Sequence, residues 1–142
     1  MGQYFENFKD ALPDVKKVRK IKKDLEKKGV KYIYSNWIDF LGSPKTKPMP
    51  ISDFEDLCMG KGPQFAVHSV SFVPELTPAD NDQIPVPDLD SLVICPWDKT
   101  CAWVFADLYW NDKPYDVCPR MTLKKQIKES AKSDLKFFVG IE

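Results

Sequence analysis

Tyr115-Asp116-Val117-Cys118-Pro119-Arg120-Met121-Thr122-Leu123 joins a short extended run to the start of a helix. Proline suits a first helical turn because its fixed φ is close to the helical value and its missing N–H would have no partner there. The helix is predicted to run to about Lys132, with one face formed by Leu123, Ile127 and Ala131. Its charged residues are predicted to point away from that face, namely Lys124, Lys125, Lys128 and Glu129. An apolar, strand-like run follows at 137–141.

The order Cys118-Pro119-Arg120-x-x-Leu123, a helix, and then Gly140-x-Glu142 resembles the junction between the small N-terminal domain and the catalytic domain of glutamine synthetase-type ligases. The resemblance extends back to about Asp14. It implies a leader at 1–13, an N-terminal β-grasp domain at 14–133, and at 134–142 the first strand of a catalytic domain that is truncated here. In that family the Glu of Gly-x-Glu is a metal ligand, so the resemblance implies a metal-binding role for Glu142.

The second carboxylate of that metal-binding pair would lie beyond the end of the chain. A divalent cation normally requires several oxygen ligands, and one carboxylate does not hold it against water. We therefore expect no cofactor for the fragment alone, and Mg²⁺ or Mn²⁺ with ATP for the full-length enzyme that the resemblance implies.

The composition is that of one ordinary globular domain. The 142 residues carry 21 basic and 21 acidic side chains, which gives no general argument for binding nucleic acid or a membrane. The N-terminus is acidic where a secretion signal would be basic and then apolar. Four irregularly spaced cysteines without a C-x-x-C motif indicate neither a disulfide scaffold nor a zinc site. A reduced, cytoplasmic protein is expected, with the cysteines buried as small apolar side chains.

Local signals predict a helix followed by a hairpin. Asp14 caps the helix, Gly29 ends it, and an apolar stripe lies between them, formed by Val15, Val18, Ile21 and Leu25. The opposite face is densely basic. It could be an anion-binding stripe, but a solvated face is favoured because acids interrupt the lysines and no aromatics interleave. Val30–Phe40 and Thr46–Ile51 are then predicted as a hairpin whose second strand, containing Pro48 and Pro50, is at a sheet edge.

The middle of the chain gives weaker signals. Ser52 is predicted to cap a short helix through about Met59 by forming a capping box with Glu55. Predicted strands follow at 64–73, 91–96 and 102–109, the last of them central because both of its faces carry large residues. The acidic, proline-rich segment 74–90 between the first two is predicted to be a long ordered loop. The fold class is therefore α+β, a mixed sheet with helices packed on one face, for which the resemblance supplies the β-grasp topology.

Taken alone, the residues offer no catalytic set. The single histidine, His68, is the most tempting base, but a lone histidine on an extended run is more often a structural or solvated side chain. The resemblance adds a mechanism. Glutamine synthetases activate the γ-carboxylate of glutamate with ATP, and an amine then attacks the acyl phosphate. The N-terminal domain contributes a loop, beginning Phe-Asp-Gly-Ser, to the active site of a neighbouring subunit in a homo-oligomeric ring, expected to be a dodecamer.

In this chain the corresponding loop is Phe65-Ala66-Val67-His68-Ser69, so Ala66 stands where the family has the acid that binds ammonium. The resemblance implies substrate-binding roles for Ala66, Val67, His68 and Ser69. It also matches Asp82 to an acid that lines the intersubunit site, for which a turn-capping aspartate is an equal alternative. No catalytic residue is assigned, although His68 could compensate as a proton acceptor.

Ala66 removes an acceptor for a bound ammonium and leaves apolar space beside it. We therefore expect a relative that joins glutamate to an organic amine rather than to ammonia, forming a γ-glutamylamide. Two alternatives from other classes remain at this point. One is a stand-alone β-grasp-like domain that binds a partner without catalysis. The other is a small-molecule binding domain that uses the 74–90 segment.

Overall fold

The fold is built around a central strand at Cys101–Trp110. A computed structural model describes residues 2–67 and 76–140. The helices of this described part are α1 (Phe8–Ala11), α2 (Val15–Lys27), α3 (Phe54–Cys58) and α4 (Pro119–Ala131). The strands are β1 (Tyr32–Ile38), β2 (Pro44–Pro50), β3 (Phe65–Ala66), β4 (Asp82–Pro87), β5 (Val93–Ile94), β6 (Cys101–Trp110) and β7 (Lys113–Pro114). Single 3₁₀ turns occupy Ile51–Asp53 and Leu89–Ser91.

The strands form one mixed sheet in the order β2-β1-β6-β4-β3, with β5 and β7 also paired to β6. β1 and β6 are parallel, in a register that runs from Tyr32 opposite Cys101 to Asn36 opposite Phe105. The other pairs are antiparallel. The predicted α+β class and the central position of the 102–109 strand are confirmed. The prediction that the helices pack on one face is wrong, because α2 and α3 pack on Ala102 and Val104 whereas α4 meets Asp107 on the opposite face of the strand. β2 lies at an edge, where its prolines need no ladder partner, as the sequence predicted.

The first helix follows its local signals closely. The Asp14 carboxylate accepts a hydrogen bond from the Lys17 N–H at 2.9 Å, which satisfies one of the free donors of the first turn. Gly29 ends the helix with a φ of +84°. Val18 and Leu25 are buried among residues of α3 and of the sheet, whereas Val15 is exposed. α2 and α3 thus cover the face of β6 that presents Ala102 and Val104.

The predicted capping box at Ser52 is wrong. The Ser52 hydroxyl donates to the Asp53 carboxylate at 2.7 Å, and residues 51–53 form a 3₁₀ turn. α3 therefore begins only at Phe54. Its three buried residues, Phe54, Leu57 and Cys58, join the same core as α2.

The predicted loop at 74–90 is also wrong in its second half, because Asp82–Pro87 forms β4 between β6 and β3. The two prolines of this strand are tolerated for a geometric reason. The Asp88 N–H donates to the Phe105 carbonyl at 2.8 Å, so alternate nitrogens face β6 and those of Pro85 and Pro87 face the other way. On that side β3 pairs only as far as Gln83. The prolines therefore interrupt no ladder hydrogen bond.

α4 begins at Pro119 as predicted. The prediction that the face with Leu123 and Ile127 packs on the sheet is wrong. Met121 and Lys124 are buried, with Lys124 only 3% exposed, whereas Leu123 and Ile127 are 44% and 38% exposed. The helix therefore meets the sheet through a row that contains a lysine. Residues 136–140 form no strand in the described part of the chain and are exposed.

The segment predicted as a leader packs on the core. Phe8 of α1 meets the Tyr109 ring edge-on at 5.8 Å between centroids. Tyr4 and Leu12 pack against the cluster of buried residues that contains Tyr109, together with Cys118 and Met121 at the start of α4. Within the described residues, no helix has both the length and the apolar character needed to cross a membrane.

Candidate functional site

The structure brings two of the predicted site residues together. Ala66 and Asp82, which are far apart in the sequence, are directly opposite each other in the β3–β4 ladder. Directly opposite residues hold their Cβ atoms about 5 Å apart on one face of a sheet. Val67 follows Ala66 and is fully buried. His68 and Ser69 lie outside the described residues, as does Glu142.

Asp82 is not a turn cap. It begins β4 and is exposed, and the turn before it is capped instead by Asp80. The Asp80 carboxylate accepts hydrogen bonds from both the N–H and the hydroxyl of Thr77, at 2.7 and 3.1 Å. The Asp82 carboxylate is therefore not used by that turn, and it lies opposite the Ala66 methyl group.

A stack of two aromatic rings holds β3 in place. The Trp37 and Phe65 rings lie 4.2 Å apart between centroids and are nearly parallel, at 9°. Lys47 donates a hydrogen bond to the Gln64 carbonyl at 2.6 Å, and its ammonium lies 5.6 Å from the centre of the Phe65 ring. Within the described part of the chain β3 forms two ladder pairs with β4, and these side chains add to its support. Sequence reasoning placed Trp37 on a strand but did not connect it with the loop, because the contact depends on the register of non-adjacent strands.

The arrangement at Ala66 has a definite chemical character. A methyl group offers van der Waals contact and no hydrogen-bond acceptor, so it cannot compensate the desolvation of an ammonium ion. The carboxylate of Asp82 lies on the neighbouring strand, directly across from it. Together they present an apolar point beside an anion, which suits a cation that carries a carbon substituent.

A buried ion cluster at the other end of β4 was missed by sequence reasoning. The Lys124 ammonium donates to the carboxylates of Asp88 and Asp107, at 3.0 and 2.5 Å. Arg120, one helical turn earlier, pairs with the same two carboxylates, at 2.9 Å for Asp107. Its guanidinium also lies over the Phe105 ring at 5.4 Å. The i, i+4 spacing of two cations on α4 was the only available signal, and it was ambiguous because Lys125 and Lys128 lie on the same helix.

The cluster fixes how α4 crosses the sheet. Both cations and both carboxylates are largely buried, and the Gly2 N–H adds a hydrogen bond to Asp88 at 3.0 Å. Two paired charges of each sign satisfy one another, and removing any one partner would leave an uncompensated charge in the interior. A polar cavity of about 280 Å³ borders the cluster and is lined by Lys17, Asp10 and Asp90 among others.

Acid is expected to weaken the fold by protonating Asp88. Burial acts to raise the pKa of Asp88, but Lys124, the Gly2 N–H and Arg120 outweigh it and hold that pKa below its ordinary value. A lowered pKa contributes stability above the unfolded-state value of about 3.9, and this is lost as pH falls through the folded-state value. We expect the free energy of unfolding to decrease below about pH 4, measured by urea unfolding. The decrease should be shallower in Lys124→Met, and an equal slope in both proteins would contradict this account.

Comparison with known proteins gives the family. No family model matches the chain. It is 36% identical over 115 residues to a glutamine synthetase of Rhizobium meliloti, across 81% of this chain and 26% of the relative. It is 31% identical over 120 residues to a glutamate–methylamine ligase of Methyloversatilis universalis, across 83% and 26%. The chain belongs to the glutamine synthetase family.

The relatives of this glutamine synthetase-family chain include proteins named for amine substrates. A γ-glutamylanilide synthase of an Acinetobacter species is 35% identical over 60 residues, across 42% of this chain. Two solved structures of GmaS, one in complex with ADP and one without ligand, match 80% of this chain with TM-scores of 0.72 and 0.73 and 27% identity. The recognition made from the sequence is confirmed. The chain spans about a quarter of the length of the relatives it matches.

A divalent metal is the cofactor that the family resemblance implies, but the described residues do not fit one. Within 2–67 and 76–140, no three His, Cys, Asp or Glu side chains are grouped so that they could hold a metal ion. The predicted ligand, Glu142, is not among those residues. No chemical step is therefore assigned to a metal in this part of the chain.

Proposed function

We propose that this chain is the N-terminal domain of a glutamine synthetase-like ligase that joins glutamate to an organic amine at the expense of ATP. The observation that carries the proposal is Ala66, which pairs with Asp82 on the neighbouring strand and occupies the loop position where the family resemblance places an acid. The relatives include both a glutamate–methylamine ligase at 31% identity and a glutamine synthetase at 36%, so the choice of an amine rests on Ala66. The domain alone would not catalyse the reaction.

The substrate preference follows from the surroundings of the attacking nitrogen. Ammonium needs acceptors for all its N–H groups, and a site lacking the loop acid leaves one of them unpaired. An alkylammonium presents one N–H fewer and a carbon substituent that can contact the Ala66 methyl group. The exposed carboxylate of Asp82 can accept one of its remaining N–H groups. Glutamate–amine ligation is therefore favoured over glutamine formation.

The proposed site lies between two subunits. We propose that the segment from Ala66 to Ser69, together with Asp82, faces the active site of a neighbouring copy in a homo-oligomeric ring, with a dodecamer as the expected size. Asp82 is exposed, so its carboxylate is open to a group brought by a neighbouring subunit. Glutamate, ATP and Mg²⁺ or Mn²⁺ would bind mainly to the catalytic domain, with Glu142 contributing one metal ligand, and the enzyme would be cytoplasmic.

Ala66→Asp in the full-length protein tests the proposal directly. Restoring a carboxylate should raise kcat/KM for ammonia relative to methylamine by roughly 10- to 100-fold, because it pairs the extra N–H of ammonium and fills the space for the methyl group. The measurement is ATP-dependent formation of glutamine and of γ-glutamylmethylamide at matched amine concentrations.

Ala79→Asp is the matched control, since it makes the same change in the exposed turn before β4. It should leave the ratio of the two kcat/KM values unchanged. A native protein that already prefers ammonia would overturn the substrate assignment and keep the family. Absence of ligase activity on ammonia and on every amine tested would instead favour a binding domain without catalysis.

A further inference from the structure

Two cysteines face each other at the closed end of the β5–β6 hairpin. The register of these strands runs through Val93 opposite Trp103 and Ile94 opposite Ala102. The next pair in the same register is Cys95 opposite Cys101, and the Cys95 N–H donates to the Cys101 carbonyl at 2.9 Å. Opposite antiparallel residues of a hydrogen-bonded pair hold their Cα atoms about 5.5 Å apart with both side chains on one face, although here the Cys101 N–H donates to the Asp98 carbonyl at 3.1 Å instead of to Cys95. Disulfide-bonded cysteines have the same spacing, about 5.5–6 Å.

The two thiols share one small buried environment. Cys95 and Cys101 are 3% and 6% exposed, and Tyr34 contacts them from β1. The Cys101 thiol donates to the Asp98 carboxylate at 3.3 Å. Burial raises the pKa of Cys95, and the neighbouring Cys101 thiol raises it further. Each thiol thus has the other as a near neighbour, beneath a loop whose residues are exposed, with Trp97 at 77%.

The remaining cysteines have no such partner. Cys58 belongs to the core beneath α2 and α3, and Cys118 belongs to the separate core beneath α4. Both are buried, and burial raises the pKa of each thiol. They act as internal controls for any chemistry that depends on two thiols being opposite each other.

We propose that Cys95 and Cys101 form a reversible disulfide that closes the β5–β6 hairpin. The oxidant is a small disulfide such as oxidised glutathione. One cysteine thiolate attacks its S–S bond, forming a mixed disulfide and releasing one glutathione thiolate. The second cysteine thiolate then attacks the protein sulfur, forming the Cys95–Cys101 bond and releasing the second glutathione. Two protein thiols are oxidised, one oxidant disulfide is reduced to two thiols, and the cysteine protons end on the released glutathione.

Access and stability both follow from the hairpin. Only the exposed loop at 96–100 has to open for an oxidant to reach the thiols, while the rest of β6 stays paired to β1 and β4. The new bond would close a ring of seven residues, 95–101, and restrict the unfolded chain. It would also remove the S–H that Cys101 donates to Asp98, whose other oxygen keeps the N–H and hydroxyl of Thr100.

The test uses the full-length native protein in glutathione buffers of increasing oxidised fraction, followed by acid quench, denaturation, alkylation of free thiols and tryptic mass spectrometry. Trypsin cleaves after Lys99, between the two cysteines, so the disulfide should appear as a peptide ending at Lys99 linked to one that begins at Thr100. The second peptide also contains Cys118, because the bond from Lys113 to Pro114 resists trypsin. Fragmentation should place the link on Cys101, with Cys58 and Cys118 alkylated and the link lost on reduction.

Variants keep the outcome decisive. Cys118→Ser should retain the linked peptides, and Cys101→Ser should lose them, leaving Cys95 free or bound to glutathione. The oxidised native protein should also melt about 2–3 °C higher than the reduced one, a difference absent in Cys101→Ser. Alkylation of both Cys95 and Cys101 after oxidation, or a link that persists in Cys101→Ser, would overturn the proposal. Both results are independent of the substrate that the enzyme uses.

Discussion

Replacing Lys124 by methionine is expected to lower the free energy of unfolding by about 3–5 kcal/mol. Lys124 is the more buried of two cations that neutralise Asp88 and Asp107. Methionine has a similar length and packs well in an apolar environment, so the substitution mainly removes the charge and its hydrogen bonds. Arg120 would then face two buried carboxylates alone, and one negative charge would have no partner. Urea unfolding followed by tryptophan fluorescence measures the difference.

Lys125→Met is the matched control for this substitution. Lys125 is the next residue of α4, its side chain is 51% exposed, and its closest acid is 4.0 Å away at Asp116. An exposed pair of this kind contributes little, so the change in unfolding free energy should stay within about 0.5 kcal/mol. A loss below about 1 kcal/mol in Lys124→Met would mean that the Arg120 pairs suffice and that the cluster does not depend on Lys124.

The parts of the fold that the sequence predicted well are those with local causes. Asp14 and Gly29 bracket α2 because a side-chain cap and a left-handed glycine act within one turn of the helix. The β6–β7 turn also has a local cause, since Asn111 and Asp112 both adopt positive φ, as a type I′ hairpin turn requires. These features depend on neighbours in the chain and therefore leave a readable signal.

α4 shows why its orientation could not be predicted. Leu123, Ile127 and Ala131 form an apolar row, and a lysine is normally assigned to solvent. The row that faces the sheet is set instead by Asp88 and Asp107, which reach α4 from β4 and β6. Lys124 lies far from Asp88 and Asp107 in the sequence, so no periodic pattern in the chain predicts that they are paired. The proline-rich β4 was missed for a related reason, since only the sheet register shows that its prolines face away from the ladder.

The candidate site was half predictable. The family resemblance selected Ala66 and Asp82 from the sequence, and the β3–β4 register places them opposite each other. The residues that support this loop were not predicted, because Trp37 and Lys47 come from strands on the other side of β6. Stacking between Trp37 and Phe65 forms only in the folded sheet, so no residue spacing in the sequence predicts it.

Trp37→Ala is expected to lower the free energy of unfolding by about 3–5 kcal/mol, as for other large-to-small changes in a core. Trp37 is buried, and its ring covers Phe65 at 4.2 Å. Its loss would leave a cavity and loosen β3, which is short and forms two ladder pairs within the described residues. Amide hydrogen exchange at residues 64–67 should therefore accelerate beyond the effect of lower global stability. Urea unfolding and exchange measured by mass spectrometry check the two parts.

Two further variants, one at Trp37 and one at Trp97, separate the effect of the stack from other causes. Trp37→Phe keeps an aromatic ring against Phe65 and removes an indole N–H that is buried without a hydrogen-bond partner among the described residues. An unsatisfied buried donor costs about 1–3 kcal/mol, so this variant should lose far less than Trp37→Ala. Trp97→Ala, on the exposed hairpin tip, should change stability by no more than about 0.5 kcal/mol. If Trp37→Phe were as unstable as Trp37→Ala, the indole itself, and not the aromatic stack, would be what holds β3 in place.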